Sequence, residues 1–318
     1  MSTVSSSISA DQPPLALIAG PTASGKSDCA VRLALALRAR GREAVVINAD
    51  SAQVYADLAV LSARPSEEEM QGVPHRLFGE WDGAEACSAA DWAAQAREVI
   101  AEAHATGTVP ILAGGTGLYM RTLLDGIAPV PEIDALVRAA VRAMPVEEAY
   151  AALTREDPAR AALLAPADSQ RVSRALEVVR STGRTLAEWQ RELSGGIGDQ
   201  VTLHPLVLLP PRDWLYRRCD QRFAMMLAGG AIEEVEALLA RALDPALPVM
   251  RAIGVPEVAA FLSGEIDLAE AEVRGAQATR NYAKRQFTWF RRQPPPEWPR
   301  SQSEYCDIES AFALLLRT

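Results

Sequence analysis

The chain has 318 residues, of which 49% are hydrophobic, and its formal net charge at pH 7 is −9. This length and composition predict a globular protein with a full core, and the acidic balance argues against a protein that binds nucleic acid through a general basic field. No apolar run approaches the roughly 18 residues of a membrane span, so no membrane contact is expected. The four cysteines and three histidines are scattered through the sequence without metal-ligand spacing, which favours a reducing, cytoplasmic location and argues against a zinc site or a disulfide framework.

The first predicted elements are a tail and a phosphate-binding loop. Residues 1–14 are Ser-rich and lack the features of a signal peptide, so we expect a disordered tail. An apolar run, Leu15–Ala19, predicts a buried strand, and helical periodicity begins at Lys26. The residues between them have the spacing of a loop whose backbone N–H groups and lysine hold phosphates at a helix N-terminus. The predicted phosphate site is Gly20, Pro21, Thr22, Ala23, Ser24, Gly25, Lys26 and Ser27.

A second predicted strand, Ala44–Asn48, is followed closely by Asp50. An ATP-hydrolysing protein with such a loop needs a second acid near a strand end to hold magnesium. Asp50 is therefore either that acid or a base that faces an acceptor substrate, with the capping of a helix as the structural alternative. Further along, Ser88 to Thr106 predicts a helix that begins with a capping box.

A third predicted strand, Val109–Ala113, ends in "GGTG" and carries no acid. The turn at Gly114, Gly115 and Thr116 opens a helix, so it should lie at the carboxyl edge of the sheet, where ligands bind in doubly wound folds. Two Gly-rich turns and Asp50 would meet at this edge. That arrangement favours transfer between two substrates over simple hydrolysis.

The rest of the chain predicts an α/β core that is interrupted by helices. No strand is predicted in 128–199, which we interpret as an α-helical insertion domain within a core formed by 15–127 and 200–293; helices that merely cover the sheet are the alternative. A fourth strand is predicted at Leu206–Leu209 and a long helix at Asp267–Gln293, which "PPP" ends. Residues 294–318 are expected to form a C-terminal tail. The fold class is α/β, with a parallel sheet covered by helices on both faces.

Two basic segments break the acidic average. Only two of the 32 basic residues are lysines, Lys26 in the phosphate loop and Lys284 in the long helix. Helical spacing puts Lys284 on one face with Arg280, Phe287 and Arg291, and interleaved cations and aromatics suit RNA binding. A solvated helix face is the alternative. A second basic patch is expected on the insertion, from Arg171, Arg174, Arg180 and Arg184.

Five motifs, in this order, resemble those of the tRNA dimethylallyltransferase (tRNA isopentenyltransferase) family over residues 15 to about 293: "GPTASGKS", "INADSAQVY", "GGTGLYMRTLLDG", "DSQRVSRALEV" and "NYAKRQFTWFR". The resemblance implies transfer of a dimethylallyl group from dimethylallyl diphosphate to N6 of adenosine 37 in tRNAs that read codons starting with U. It also implies a P-loop kinase-like fold, Mg²⁺ as cofactor, and an insertion that grips the anticodon stem-loop. We expect a cytoplasmic monomer.

The resemblance also assigns residues to roles. The phosphate loop would hold the diphosphate of the donor, with Mg²⁺ at Ser27. Asp50 would be the base, and Thr116, Lys26 and Arg222 would complete the catalytic set. The expected tRNA contacts are Asp50, Ser51, Ala52, Gln53, Thr116, Arg138, Gln170, Arg171, Val172, Ser173, Arg174, Arg251, Lys284, Arg285, Gln286 and Arg291.

Two segments depart from the family pattern. Leu61-Ser62-Ala63-Arg64-Pro65 replaces Ile-Gly-Thr-Ala-Lys-Pro, and the R-x-x-G-Y motif ends in Val255 instead of tyrosine. Three other functions stay open at this point: a small-molecule kinase that binds ATP, a prenyltransferase that acts on free adenine nucleotides, and a non-catalytic RNA-binding protein. A small-molecule kinase would not need two basic patches, and a non-catalytic RNA-binding protein would not need Asp50.

Overall fold

A computed structural model describes residues 12–317 of the chain. Residues 1–11 of the expected tail lie outside the described residues, whereas Pro14 already belongs to the first strand. The chain divides into two compact units. One is Leu124–Ile197, and the other comprises the residues up to Leu123 together with those from Gly198 onwards.

The larger unit is built on one sheet of parallel strands in the order β3-β2-β4-β1-β5-β6. The strands predicted from apolar runs are confirmed, and so is the α/β fold class. Every residue of β2 and β4 is buried, as expected for a sheet covered on both faces by helices. The strands are β1 (Pro14–Ala19), β2 (Ala44–Asn48), β3 (His75–Arg76), β4 (Val109–Gly114), β5 (Thr202–Leu208) and β6 (Arg300–Ser301).

Helices connect and cover these strands. Within the described residues, none is both long enough and apolar enough to cross a membrane. In chain order they are α1 (Lys26–Arg38), α2 (Glu67–Met70), α3 (Ala89–Ala105), α4 (Gly117–Asp125), α5 (Ala135–Arg142), α6 (Val146–Glu156), α7 (Pro158–Ala161), α8 (Ser169–Thr182), α9 (Leu186–Trp189), α10 (Arg212–Ala228), α11 (Ala231–Ala240), a 3-10 turn (Val249–Arg251), α12 (Val255–Leu262), α13 (Leu268–Arg292), α14 (Ile308–Ala311) and α15 (Ala313–Arg317).

The boundaries of the two long predicted helices follow from side-chain caps. At the start of α3, the Ser88 hydroxyl accepts from the Asp91 N–H while the Asp91 carboxylate accepts from the Ser88 N–H. This reciprocal pair satisfies N–H groups that have no partner inside the helix, so the predicted capping box is confirmed. Asp267 caps α13 with a single bond, by accepting from the N–H of Glu270.

The C-terminal residues belong to the core and are not the peripheral tail expected at 294–318. β6 extends the sheet beside β5, and the side chains of Ile308, Phe312, Leu315 and Leu316 are buried in the same apolar cluster as α1 and the strands. Prolines end α13 as expected, but the chain then returns to the sheet. Two cysteines far apart in sequence meet here, with the sulfurs of Cys29 and Cys306 2.9 Å apart.

The smaller unit has a core of its own. Its helices α5, α6, α7 and α8 bury Val141, Leu153, Val172 and Leu176 against one another. The carboxylate of Glu177, buried in α8, accepts a hydrogen bond from Arg142 at 3.0 Å. Because its apolar faces are turned inwards, the unit leaves arginine side chains of α5 and α8 at its surface.

Candidate active site

Three segments that follow neighbouring strands are joined at the carboxyl edge of the sheet. The backbone N–H of Gly20, after β1, donates to the carbonyl of Gly114 at the end of β4 (3.3 Å). The N–H of Thr116 donates to the carbonyl of Ala49, after β2 (3.1 Å). The phosphate loop, the "GGTG" turn and Asp50 therefore lie side by side, as the sequence predicts.

Lys26 is the cation of the phosphate loop and the first residue of α1. Gly25 precedes it with φ of 87°, a left-handed conformation that favours glycine. The Lys26 Nζ donates to the Pro21 carbonyl at 2.7 Å, which holds the ammonium against the loop. Burial lowers the pKa of Lys26 from 10.5 to about 8; the Asp50 carboxylate opposes this shift and the Arg222 guanidinium adds to it.

Two arginines of α10 bond to the phosphate loop from the other side. Arg222, expected from the sequence, donates to the Thr22 hydroxyl at 2.8 Å. Arg218, which the sequence analysis missed, donates through Nε to the carbonyl of Ala23 at 3.0 Å. The signal for it was its position four residues before Arg222, because side chains at i and i+4 share one face of a helix. The loop is thus bordered by Lys26 and two guanidinium groups.

Asp50 is held in a turn and not at a helix N-terminus. Its backbone N–H donates to the Asn48 side chain (2.8 Å), and its own Oδ1 accepts from the N–H of Ala52 (3.1 Å). Asn48 is fully buried, and its amide also donates to the carbonyls of Asp50 and Leu77. No helix begins at Asp50, so the capping alternative is wrong. The buried asparagine fixes the backbone that carries the carboxylate.

Thr116 belongs to a small network of hydroxyl groups. Its Oγ1 accepts from the Ser51 N–H at 2.9 Å and lies 3.2 Å from the Ser51 hydroxyl. Tyr282, on α13, is hydrogen-bonded to both side chains, and burial raises the pKa of its hydroxyl. Tyr282 was not expected at the site, although it lies one helical turn before Gln286 on the same helix. These bonds orient Thr116 beside Asp50.

A cavity of about 330 Å³ opens beside these groups. Such a volume is at the small end of the range for small-molecule sites. Its wall combines polar groups of the phosphate loop, the Asp50 turn and α10 with apolar side chains. The polar lining includes Thr22, Asp50, Ser51 and Arg222, and the apolar lining includes Leu61, Phe223, Met226 and Ile253.

Comparison with known proteins decides the family. The sequence profile described as IPP transferase matches residues 53–293. The chain belongs to the IPP transferase family. It is 70% identical over 302 residues to a protein of Erythrobacter litoralis named tRNA dimethylallyltransferase, with 95% of each chain covered.

Two solved structures resemble this IPP transferase chain. A tRNA isopentenylpyrophosphate transferase from Bacillus halodurans aligns with a TM-score of 0.67 and 31% identity, covering 95% of this chain and 94% of that one. A eukaryotic dimethylallyltransferase described as acting on tRNA aligns with a TM-score of 0.73 and 27% identity, covering 87% of this chain and 69% of that one. Both support the P-loop kinase-like fold.

The segment of the IPP transferase chain that departs from the family pattern is held by remote side chains. The carboxylate of Glu234, on α11, accepts from three successive N–H groups, at residues 59 to 61. The amide of Gln53 donates to the carbonyls of Ser62 and Ala63 at 3.0 and 2.8 Å. Gln53 was expected to contact tRNA, but here its amide N–H groups are used to shape this loop.

The basic stripe predicted on α13 is only partly a solvent face. Lys284, Arg285 and Arg291 are exposed. Arg280 is paired with the Asp220 carboxylate, and Phe287 packs in an apolar cluster between α10 and α13. This IPP transferase helix therefore offers fewer free cations than its spacing suggests.

Gln286, also expected to contact tRNA, is 6% exposed. Its Oε1 accepts from the Thr22 N–H and its Nε2 donates to the Gly115 carbonyl. That expectation is wrong, because the side chain is buried and both ends of its amide are bonded inside the protein. Its neighbour on the next turn, Trp289, packs directly over Gly117.

The remaining expected tRNA contacts have unequal access to solvent. On the smaller unit, Arg138, Gln170, Arg171 and Arg174 are exposed and Ser173 is half-buried, whereas Val172 is fully buried in the core and cannot offer its side chain to RNA. Partial burial lowers the pKa of Arg174, and the nearby guanidinium groups of Arg138 and Arg142 act in the same direction. In the larger unit of this IPP transferase, Arg251 is exposed at the cavity wall.

Proposed function

We propose that this protein is a tRNA dimethylallyltransferase. It transfers the dimethylallyl group of dimethylallyl diphosphate to N6 of adenosine 37, in tRNAs that read codons starting with U, and releases diphosphate. The observation that carries the proposal is that Thr22 of the phosphate loop and Asp50 line one cavity, with Thr116 bonded to the lining residue Ser51, in a chain of the IPP transferase family. A phosphate site next to a carboxylate suits transfer from a diphosphate donor to a nucleophile that loses a proton. Because tRNA is the acceptor, the proposed place of action is the cytoplasm.

The donor end of the site stabilises the leaving group. Cleavage of the allylic C–O bond leaves negative charge on the diphosphate, which Lys26, Arg222 and the N–H groups of the loop would bind. Lys26 bonds to the Pro21 carbonyl and Arg222 to the Thr22 hydroxyl. Both cations are therefore already held at the loop, so little reorganisation is needed when the charge develops.

The acceptor end removes a proton. The N6 lone pair of adenine is delocalised into the ring, so this amine is a weak nucleophile. A carboxylate within hydrogen-bond reach takes the proton as the new C–N bond forms, and we assign this role to Asp50. We assign the orientation of the adenine to Thr116, which is bonded to Ser51 and Tyr282. The base must leave its stack to enter the cavity, which costs a few kcal/mol and less in a loop than in a duplex.

The donor set at the phosphate loop fits Mg²⁺. Ser27 is exposed at the N-terminus of α1. Among residues 12–317, we find no group of three or more Asp, Glu, His or Cys side chains that could hold a metal ion by itself. Mg²⁺ keeps several waters and takes its other ligands from one or two protein oxygens and from substrate phosphates. We therefore propose the Ser27 hydroxyl as a ligand of a diphosphate-bound Mg²⁺, which would neutralise charge on the leaving group.

The RNA-binding surfaces proposed here are two groups of exposed residues, one on each unit. The insertion offers Arg138, Gln170, Arg171 and Arg174, and α13 offers Lys284, Arg285 and Arg291. Their exposed cations suit the phosphate backbone of an anticodon stem-loop; among them, Arg171 also lies 3.6 Å from the Asp168 carboxylate. We propose that the insertion grips this stem-loop and that one monomer suffices for activity.

The experiment that tests the function offers the protein tRNA together with either dimethylallyl diphosphate or ATP. We expect a prenyl mass on adenosine after digestion to nucleosides, and only with dimethylallyl diphosphate. Phosphate transfer from ATP to a small molecule would support the kinase instead. Equal prenylation of free adenosine monophosphate would support the nucleotide prenyltransferase.

The assignment of Asp50 as the base is tested by Asp50→Asn. The amide keeps the shape of the side chain but cannot accept the proton, so single-turnover transfer should fall by more than about 100-fold. The affinity for tRNA should be nearly unchanged. Asp28→Asn, an exposed carboxylate on α1, is the matched control and should transfer at the wild-type rate. Near-normal transfer by Asp50→Asn would show that another group is the base.

A further inference from the structure

A single buried amide joins the two substrate-facing turns. Gln286 reaches from α13 to the phosphate loop, where its Oε1 accepts from the Thr22 N–H at 2.7 Å. Its Nε2 donates to the carbonyl of Gly115 at 2.8 Å. Gly115 immediately precedes Thr116, so one side chain connects the turn that faces the donor with the turn that faces the acceptor.

The group between these two partners must offer one hydrogen-bond acceptor and one donor. The Thr22 N–H can only donate and the Gly115 carbonyl can only accept, which fixes the orientation of the Gln286 amide. A carboxylate would put a second acceptor against the Gly115 carbonyl, and an apolar side chain would leave both backbone groups buried without a partner. The close approach also requires glycine, because a Cβ on Gly115 would lie 2.3 Å from Nε2.

The amide adds a second, side-chain link between two turns that the Gly20–Gly114 backbone bond already joins. Thr22 is also held through its hydroxyl by Arg222. Thr116 is held by Ser51 and by Tyr282. Gln286 and the two backbone groups thus form a continuous chain of hydrogen bonds from the Arg222–Thr22 pair to the turn that carries Thr116.

We propose that Gln286 is a positioning residue that sets the distance and angle between the donor diphosphate and the acceptor adenine. The inference rests on the proposed prenyl transfer. Gln286 touches neither substrate and acts through the backbone of Thr22 and Gly115. A misplacement of about 1 Å between reacting groups costs on the order of 100-fold in rate. Loss of the two Gln286 hydrogen bonds should therefore slow the chemical step more than it weakens the binding of either substrate.

The first test compares Gln286→Met with Gln277→Met, which alters an exposed glutamine on the same helix. With tRNA and dimethylallyl diphosphate both saturating, single-turnover transfer by Gln286→Met should be slower by at least about tenfold. Its Kd values for tRNA and for inorganic diphosphate should change by less than about threefold, a range typical of substitutions that remove no substrate contact. The control should match the wild type in all three measurements.

The second test uses Gln286→Glu and pH. A protonated carboxyl group repeats both bonds, since its carbonyl oxygen accepts from Thr22 and its O–H donates to Gly115. Burial, the Gly115 carbonyl and the Asp50 carboxylate favour the protonated form, whereas Lys26 and Arg222 oppose it. The rate of Gln286→Glu relative to wild type should rise as pH falls from about 8 to about 6, whereas the relative rate of Gln286→Met should stay flat.

Two results overturn the inference. One is a wild-type rate of transfer by Gln286→Met at saturating tRNA. If that normal rate comes with a weaker affinity for tRNA, Gln286 is an RNA contact and not a positioning residue. The other is a Gln286→Glu relative rate that does not change with pH, a readout that stays valid if Gln286→Met fails to fold. An inactive wild type would refute the proposed function, and this inference with it, whereas an active wild type with an equally active Gln286→Met refutes only the role of Gln286.

Discussion

Raising the pH should weaken donor binding, because the cation of the phosphate loop loses its charge within a usable range. Burial brings the pKa of Lys26 to about 8 in the free protein. A bound diphosphate favours the charged ammonium and should return the pKa towards its ordinary value. Above pH 8, binding must therefore take up a proton, and the affinity falls as pH rises. With Lys26 roughly 90% charged at pH 7 and roughly 10% at pH 9, the Kd for dimethylallyl diphosphate should rise about tenfold between them.

The measurement is isothermal titration of dimethylallyl diphosphate, without tRNA, at pH 7, 8 and 9 in buffers of different ionisation enthalpy. Burial raises the pKa of the Cys219 thiol and of the Tyr282 hydroxyl, both at the cavity wall, so neither should ionise in this range. Lys26→Arg is the matched control: its guanidinium stays charged, so its affinity should not vary with pH. A wild-type Kd that is the same at pH 7 and 9, or an equal slope in Lys26→Arg, would refute the role given to Lys26.

Three further predictions concern the turn, the basic helix and the C-terminus. Gly117→Val should lower kcat/KM by at least about tenfold. A Cβ at this position would lie 2.4 Å from the Trp289 ring and would displace the turn that carries Thr116. A normal kcat/KM would show that the turn tolerates the shift. Lys284→Ala should weaken tRNA binding and reduce the slope of log Kd against log salt by about one, with donor affinity unchanged; an unchanged slope would leave Lys284 as a solvated side chain. Phe312→Ala should lower the free energy of unfolding in urea by about 3–5 kcal/mol, whereas a loss below about 1 kcal/mol is what a surface position would give.

The sequence predicts the strands that are long and apolar and misses those that are short. β1, β2, β4 and β5 each contain a continuous apolar run, which is the pattern of a strand buried on both faces. β3 and β6 have two residues each, too few to show any periodicity. β6 also follows a proline-rich stretch that is typical of a chain leaving the core. Its place beside β5 depends on tertiary pairing that no local pattern carries.

The candidate site likewise contains residues that the sequence predicts and residues that it does not. The phosphate loop and Asp50 are predictable because they are local motifs whose strand-to-turn context can be read directly. The role of Gln286 is not, because it depends on backbone groups that lie far from it in sequence. Its burial was nevertheless predictable: Ala283, Gln286 and Phe290 follow the helical i, i+3, i+7 spacing of an inward face, and all three are buried. A polar residue on such a face indicates an internal hydrogen-bond partner more often than a surface contact.

The loop that follows Asp50 differs from its family in sequence, yet its conformation is specified from outside. Glu234 binds three backbone N–H groups at residues 59 to 61, and Gln53 binds two backbone carbonyls. All of these loop atoms belong to the backbone, and any residue other than proline supplies them. These bonds therefore fix the backbone path of residues 59–63 without use of their own side chains, and the side chain of Leu61 is left to line the cavity. The conformation of this loop therefore depends on Glu234, a carboxylate that is distant in sequence. Loss of that carboxylate would remove the support of a loop that it does not adjoin in sequence.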